Sequence, residues 1–203
     1  RRVLFRSKAH KGSATFLNKF LYKMKIPTFL KWVGGKRKVL EEIDKDIKDY
    51  IKKNVKLKGY HELFLGGGSV FFYVKQKYKF KRFTISDINQ DLINTHLHIR
   101  DSPKELIKHL KKLKKSNSEV FYYKIRELFN QNKIRGVKRS AIFIYLNKTC
   151  FNGMYRVNSK GDFNVPYGKY KNPEIFNKET IFHASKLLKE VKIVCRDYEQ
   201  EIG

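Results

Sequence analysis

The chain has 203 residues, enough for one core of ordinary size plus a smaller insertion, because domains usually run to about 100–200 residues. A hydrophobic share of 41% with 14% aromatics excludes general disorder, and 46 Lys+Arg against 19 Asp+Glu leave a net charge of +27 that calls for a polyanion, nucleic acid foremost. No apolar run approaches the roughly 18–20 residues of a membrane span, and Cys150 and Cys195 form no CxxC pair, which excludes a disulfide framework or zinc site and fits a reducing cytoplasm.

Residues 1 to 23 carry no acid and precede "MKIPTFLKW", which reads like a natural start at Met24, so they are set aside as an extension or artefact. "FLKWVGGKRKVL" then sets a lone Trp, two glycines and several cations at the doorway of a helix. Val39, Leu40, Ile43, Ile47, Tyr50 and Ile51 recur at helical spacing and predict an amphipathic helix over residues 37 to 53. "GYHELFLGGGSVFFYV" reads as strand, tight loop and buried helix, and "RFTISD", residues 82 to 87, as a second strand. Strand, glycine loop, helix, strand is a βαβ unit, the building block of a doubly wound parallel sheet.

Residues 88 to 147 turn helical. Ser102, Pro103 and Glu105 form a capping signature ahead of Leu106, Ile107, Leu110 and Leu113; Ser118 opens another helix; and the nearly apolar "SAIFIYLN" belongs inside the bundle. "NKTCFNGMYRVNSKGDFNVPYGKYKNP" scatters Gly, Asn, Ser and Pro among aromatics and cations and predicts a long irregular or hairpin loop, a class of segment that is usually functional. One more helix around Ile181, Phe182, Leu187 and Leu188 and one more strand, "VKIVCRD", complete the chain. The expected fold is α/β, a Rossmann-like sheet with a mostly helical insertion. Residues 24–89 and 177–203 make the ligand-binding frame and 90–176 the insertion.

Gly66, Gly67 and Gly68 follow a strand and precede a helix, where backbone can approach a ligand closely or simply pack. Asp87, at the end of the next strand, stands where an acid accepts hydrogen bonds from ribose hydroxyls; it also suits a cap for the helix beginning in "INQDLIN". The third glycine of a dinucleotide fingerprint would fall on Phe71, and "GGKRK" lacks the spacing of a P-loop, which leaves S-adenosyl-L-methionine as the best fit. In "FNGMYR", Phe151, Met154 and Tyr155 can act as wedges into a base stack, beside Arg156 as a donor fork suited to guanine; packing within the hairpin is the other reading for Phe151 and Tyr155. His96 and His98 point to different sides of a helix and make no metal site. "KKLKK", residues 111 to 115, is a solvated helix face that could meet phosphates.

"FLKWVGGKRKVL", "ELFLGGGSVFF", "ISDINQDLIN", the long loop and "IVCRDYE" occur in the order and approximate spacing of the Dam-type DNA adenine methyltransferases, a resemblance that covers roughly residues 26 to 198. It implies transfer of a methyl group from S-adenosyl-L-methionine to the amino group of an adenine flipped out of double-stranded DNA, with no metal and no covalent enzyme intermediate. It implies that Trp32 and Lys36 lie at the cofactor with Glu62, Phe64, Gly66 and Gly68, that Asp87 holds the ribose, and that Asp197 and Tyr198 border the adenine ring. The same resemblance implies that Lys31 contacts a guanine and that the long loop enters the DNA through Phe151, Asn152, Gly153, Arg156 and Asn158. Leu63 stands where the family commonly has proline.

The family's acceptors for the amino protons come from a D-P-P-Y tetrapeptide, which these 203 residues do not contain; "NVPY", residues 164 to 167, has one proline and lies in the hairpin. The reading is therefore a fragment shortened at its carboxyl end, inactive by itself, of a prokaryotic or phage-borne cytoplasmic enzyme. Lys31 and Arg156 make a GATC-like target the first to test. A catalytically dead DNA-binding module, or a restriction–modification component, is the alternative, and an RNA methyltransferase fits the loop less well.

Overall fold

The computed structural model describes residues 26–32, 40–53 and 57–202. Lys36 and the proposed leader lie outside them. The first helix among the described residues, α1 (Leu40–Lys52), opens with Glu41 and Glu42 and closes with Lys52, charges that complement its dipole. Leu40 is buried and Ile43 and Ile47 pack on the core, but Tyr50 and Ile51 are exposed, so the apolar stripe outruns the surface beneath it. Asp44, on the same inner face, is 4% exposed. It is held there by Lys48 at 2.8 Å and Lys77 at 2.5 Å, with the hydroxyls of Tyr73 and Tyr78 donating at 2.8 and 2.5 Å. Burial opposes its charge, and these four donors outweigh burial and hold its pKa far below the usual carboxylate range.

Strand β1 (Gly59–Glu62) pairs in parallel with β2 (Arg82–Asp87), and β2 with β3 (Lys192–Cys195), in the order β1-β2-β3. The β2 limits agree with the alternation of "RFTISD". The apolar run after β1 does not extend the strand as expected. It turns at Leu63–Leu65, where the Leu65 N–H donates to the Ser86 carbonyl at 2.9 Å and sends the chain into the glycine loop. Helix α2 (Ser69–Lys77) follows, and Val70 through Val74 are all buried.

Helix α3 (Gln90–Asp101) packs on β2 and β3 with one side and on the helical layer with the other. It is followed by α4 (Pro103–Lys115), α5 (Glu119–Asn130), α6 (Gly136–Thr149) and, after the hairpin, α7 (Lys178–Leu188). Ser118 and Asn177 cap α5 and α7 through their side chains. Ser102 does not cap α4 through its side chain: it is also the residue that closes α3, just after Asp101, where its N–H donates to the His98 carbonyl. Helix α6 is buried almost all round from Ser140 to Asn147 and is the post against which α3, α4 and α5 stand. Asp91 of α3 binds Arg139 of α6 through both oxygens, at 2.5 and 2.8 Å, and Arg100 donates to the Val191 carbonyl at 3.0 Å. The sheet and the insertion are thus tied through one helix. None of the described helices is long and apolar enough to cross a membrane.

Candidate functional site

The site grows from the carboxyl ends of the strands. Glu62 ends β1 buried, its Oε2 accepting from the Tyr60 hydroxyl at 2.7 Å; burial first and Glu62 second raise the Tyr60 pKa, so the phenol stays a donor. Asp87 ends β2, and its two carboxylate oxygens order the chain on either side. Oδ2 accepts from the Gly66 N–H at 2.9 Å and Oδ1 from the Asn89 N–H at 3.0 Å. The helix cap foreseen for Asp87 belongs instead to Asn89, whose side chain accepts from the Leu92 N–H at 3.0 Å. Carboxylate oxygens have about two lone pairs each, so Asp87 retains acceptor capacity for a ligand hydroxyl.

Gly66 has φ +52°, and a Cβ there would lie 2.9 Å from Cδ1 of the Trp32 indole. Glycine therefore serves both the turn and the close approach of Trp32. Gly68 is buried at the amino cap of α2. Beneath it lies His96, fully buried, with Nδ1 2.9 Å from the Leu92 carbonyl and Nε2 without a hydrogen-bond partner. A carbonyl can only accept, so Nδ1 carries the proton and the ring is neutral; burial lowers its pKa to about 4. His98, two residues on, turns to the Ser140 hydroxyl at 2.8 Å instead. At the rim, the exposed rings of Phe64 and Tyr198 lie 5.4 Å apart, and Asp197 accepts from the Glu199 N–H at 3.1 Å. The site thus has a carboxylate, open backbone at a helix amino terminus and two accessible aromatic faces. That set suits a nucleoside bearing a charged tail.

Trp32 links this region to the long loop. Tyr155 stacks on it, with centroids 5.5 Å apart and planes 19° from parallel. Tyr155 also packs on Phe143 and Phe163. Of the two aromatic wedge candidates, Tyr155 is the one turned to the interior, and the reason is this stack. Phe151 is 47% exposed at the start of a 3-10 turn, Phe151–Gly153, while Met154 packs on the core. The loop is a hairpin held by the antiparallel bridges Cys150↔Tyr167 and Val157↔Phe163. Arg156 is exposed, with Nε donating to Asn164 Oδ1 at 2.7 Å. The Asn158 side chain closes the tip, accepting from Lys160 and Asp162 at 3.0 and 2.9 Å. Lys31 is exposed, its ammonium 4.3 Å from the centre of the Tyr170 ring. Sequence reading missed Asn147 and Tyr170, which touch Lys31 and the loop and have no local signature.

A model of the D12 class of N6 adenine-specific DNA methyltransferases matches residues 32–203. The chain belongs to that class. Among curated relatives, the type II methyltransferase M.MjaIII of Methanocaldococcus jannaschii is 48% identical over 185 residues, 87% of this chain and 64% of the relative. M1.LlaDCHI of Lactococcus lactis subsp. cremoris is 37% identical, over 89% of this chain and 62% of its own. The DNA adenine methylase of Escherichia coli K12 is 34% identical, over 86% and 59% respectively. The chain therefore spans about three-fifths of these relatives' length.

Proposed function

We propose that this protein is a site-specific DNA adenine methyltransferase using S-adenosyl-L-methionine and acting on a GATC-like duplex site, with residues 24–89 and 177–203 as the cofactor domain and 90–176 as the target-recognition domain. The observation that carries the reading is the Trp32–Tyr155 stack, which sets the Asp87–glycine-loop site beside an exposed aromatic and cationic hairpin. When bound, S-adenosyl-L-methionine supplies an electrophilic methyl group. Asp87 would accept from its ribose, the glycine loop at the amino end of α2 would receive its charged tail, and Phe64, Tyr198 and Asp197 would border its adenine. Glu62, held by the Tyr60 hydroxyl at the end of β1, would border the same site.

On the DNA side, flipping a base costs a few kcal/mol, and an inserted ring offsets part of that by filling the gap. Phe151 is the accessible ring, Asn152 and Gly153 form the turn that presents it, and Arg156, Asn158 and Lys31 supply donors to base edges or phosphates. None of the described residues is assigned as acceptor of the adenine amino protons, because the D-P-P-Y tetrapeptide is not among these 203 residues.

Tritiated-methyl transfer onto a GATC duplex tests the proposal. The 203 residues alone are expected to bind duplex and leave it unmethylated, and a chain extended past D-P-P-Y to methylate it. Robust transfer by the 203 residues overturns the reliance on D-P-P-Y. An extended, folded chain that transfers nothing overturns the enzyme reading in favour of a binding module.

A further inference from the structure

Asn147 has no part in the function proposed above. It sits in the last turn of α6, 3% exposed, where an unpaired amide would be costly. Every donor it has and its acceptor oxygen are engaged. Oδ1 accepts the Lys31 N–H at 2.8 Å, and Nδ2 donates to the Lys31 carbonyl at 2.7 Å and to the Gly153 carbonyl at 3.1 Å. Exchanging both bonds with one residue is what a neighbouring antiparallel strand does. A single side chain performs that service for Lys31, which belongs to no strand.

The bond to Gly153 carries the same register to the hairpin. Gly153 has φ +62°, and a Cβ there would collide with the Lys31 side chain, whose Cδ would lie 2.5 Å away. The circuit closes at the surface. The Lys31 ammonium lies over Tyr170, whose hydroxyl accepts from the Asn152 N–H at 3.1 Å. One buried path and one exposed path thus join Lys31 to the turn that presents Phe151.

We infer that Asn147 is a positioning residue for target-sequence recognition: it locks Lys31 and the Phe151–Gly153 turn into one register, so that the cation and the ring meet the duplex as a unit. Lysine is a point charge on a flexible stem and by itself follows phosphates as readily as base edges. Fixing its backbone and confining its stem between Gly153 and Tyr170 converts it into a reader of one position. The inference rests on the reading of Lys31 as a base contact.

Competition binding by the full gene product, between a GATC duplex and duplexes altered at each single base pair, tests it. Lys31→Ala, which keeps the backbone bonds, should cut discrimination about tenfold at one base pair. Asn147→Asp keeps the size and the acceptor but sets a carboxylate oxygen against two carbonyls. It should cut discrimination at that same base pair to a similar extent, with Asn147→Gln recovering part of it. The Lys31→Ala/Asn147→Asp double variant should be no worse there than Lys31→Ala.

Equal weakening on all duplexes, or losses that multiply in the double variant, would make Asn147 merely structural and overturn the inference. Should Asn147→Asp not fold, Gly153→Ala disturbs the same register from the hairpin side and must show the same selective loss. A Lys31→Ala variant with unchanged discrimination overturns the Lys31 reading and the inference together. A selective Lys31 effect with an indifferent Asn147 overturns the inference alone.

Discussion

Trp32 and Tyr155 stack at 5.5 Å although one belongs to the segment before α1 and the other to the hairpin after α6. The stack decides which aromatic of the hairpin is scaffold. Tyr155→Ala should destabilise the protein by about 2–3 kcal/mol, somewhat less than the roughly 3–5 of a fully buried ring. Phe151→Ala, at an exposed position, should stay within about 0.5 kcal/mol. Urea unfolding measures both. A Phe151 loss equal to that of Tyr155 would mean that both rings are packing residues.

Asp87 binds the Gly66 N–H directly, so its removal disorders the loop as well as removing a ligand contact. Asp87→Ala should weaken S-adenosyl-L-methionine at least about tenfold, in line with the loss of a charge-assisted hydrogen bond. Cofactor-free duplex affinity should hold, because the hairpin's braces lie elsewhere. Isothermal calorimetry with an intact cofactor affinity would remove Asp87 from the site.

The buried His96 sets a pH dependence. Its pKa falls from 6.5 unfolded to about 4 folded. Its contribution is therefore complete above pH 6.5 and is lost as pH falls towards 4, a difference of about 3 kcal/mol at roughly 1.4 kcal/mol per unit. Asp44, whose folded pKa is held low, adds only a small slope at the acid end of that window, where its unfolded carboxyl begins to take up a proton. Urea midpoints between pH 4 and 7 should fall steeply for the natural chain and less steeply for His96→Phe. Equal slopes would show that His96 is not the group responsible.

Arg156 is braced by Asn164 through both Nε and Nη2, at 2.7 and 3.3 Å. Duplex affinity should drop as salt rises, because a chain of +27 releases many counterions on binding. Arg156→Ala should relax preference at one base pair by about 1–3 kcal/mol. The same loss on every duplex would make it a phosphate contact.

Strand β2, the βαβ order and the buried α6 were legible because their signals are local: alternation, glycine punctuation and an unbroken apolar run. Strand β1 was drawn too far, through "ELFL", because hydrophobicity does not reveal that the chain must turn at Leu63 for Gly66 to reach Asp87. Capping by Ser102 failed because two helices share it. Asn147 was invisible for a different reason. Its partner is 116 residues away, and an asparagine at the end of an apolar helix carries no mark of what it will bond. Buried Asp44 was hidden in the same way, its neutralising Lys77 and Tyr78 arriving from α2 and the turn after it.

The hairpin is fastened at its root and open at its tip. At the root, Gly153 leaves no space for a side chain, and Cys150, fully buried, has its thiol pKa pushed up to about 11 by burial. Towards the tip, Arg156, Val157, Asn158, Ser159 and Lys160 are all exposed. Substitutions at the tip change what the loop touches at little cost in folding, whereas substitutions at the root disturb the core. On the proposed function, variants of this chain can change target preference by trading tip residues one at a time while the root is kept, and a library built to retarget it should randomise the tip and leave the root alone.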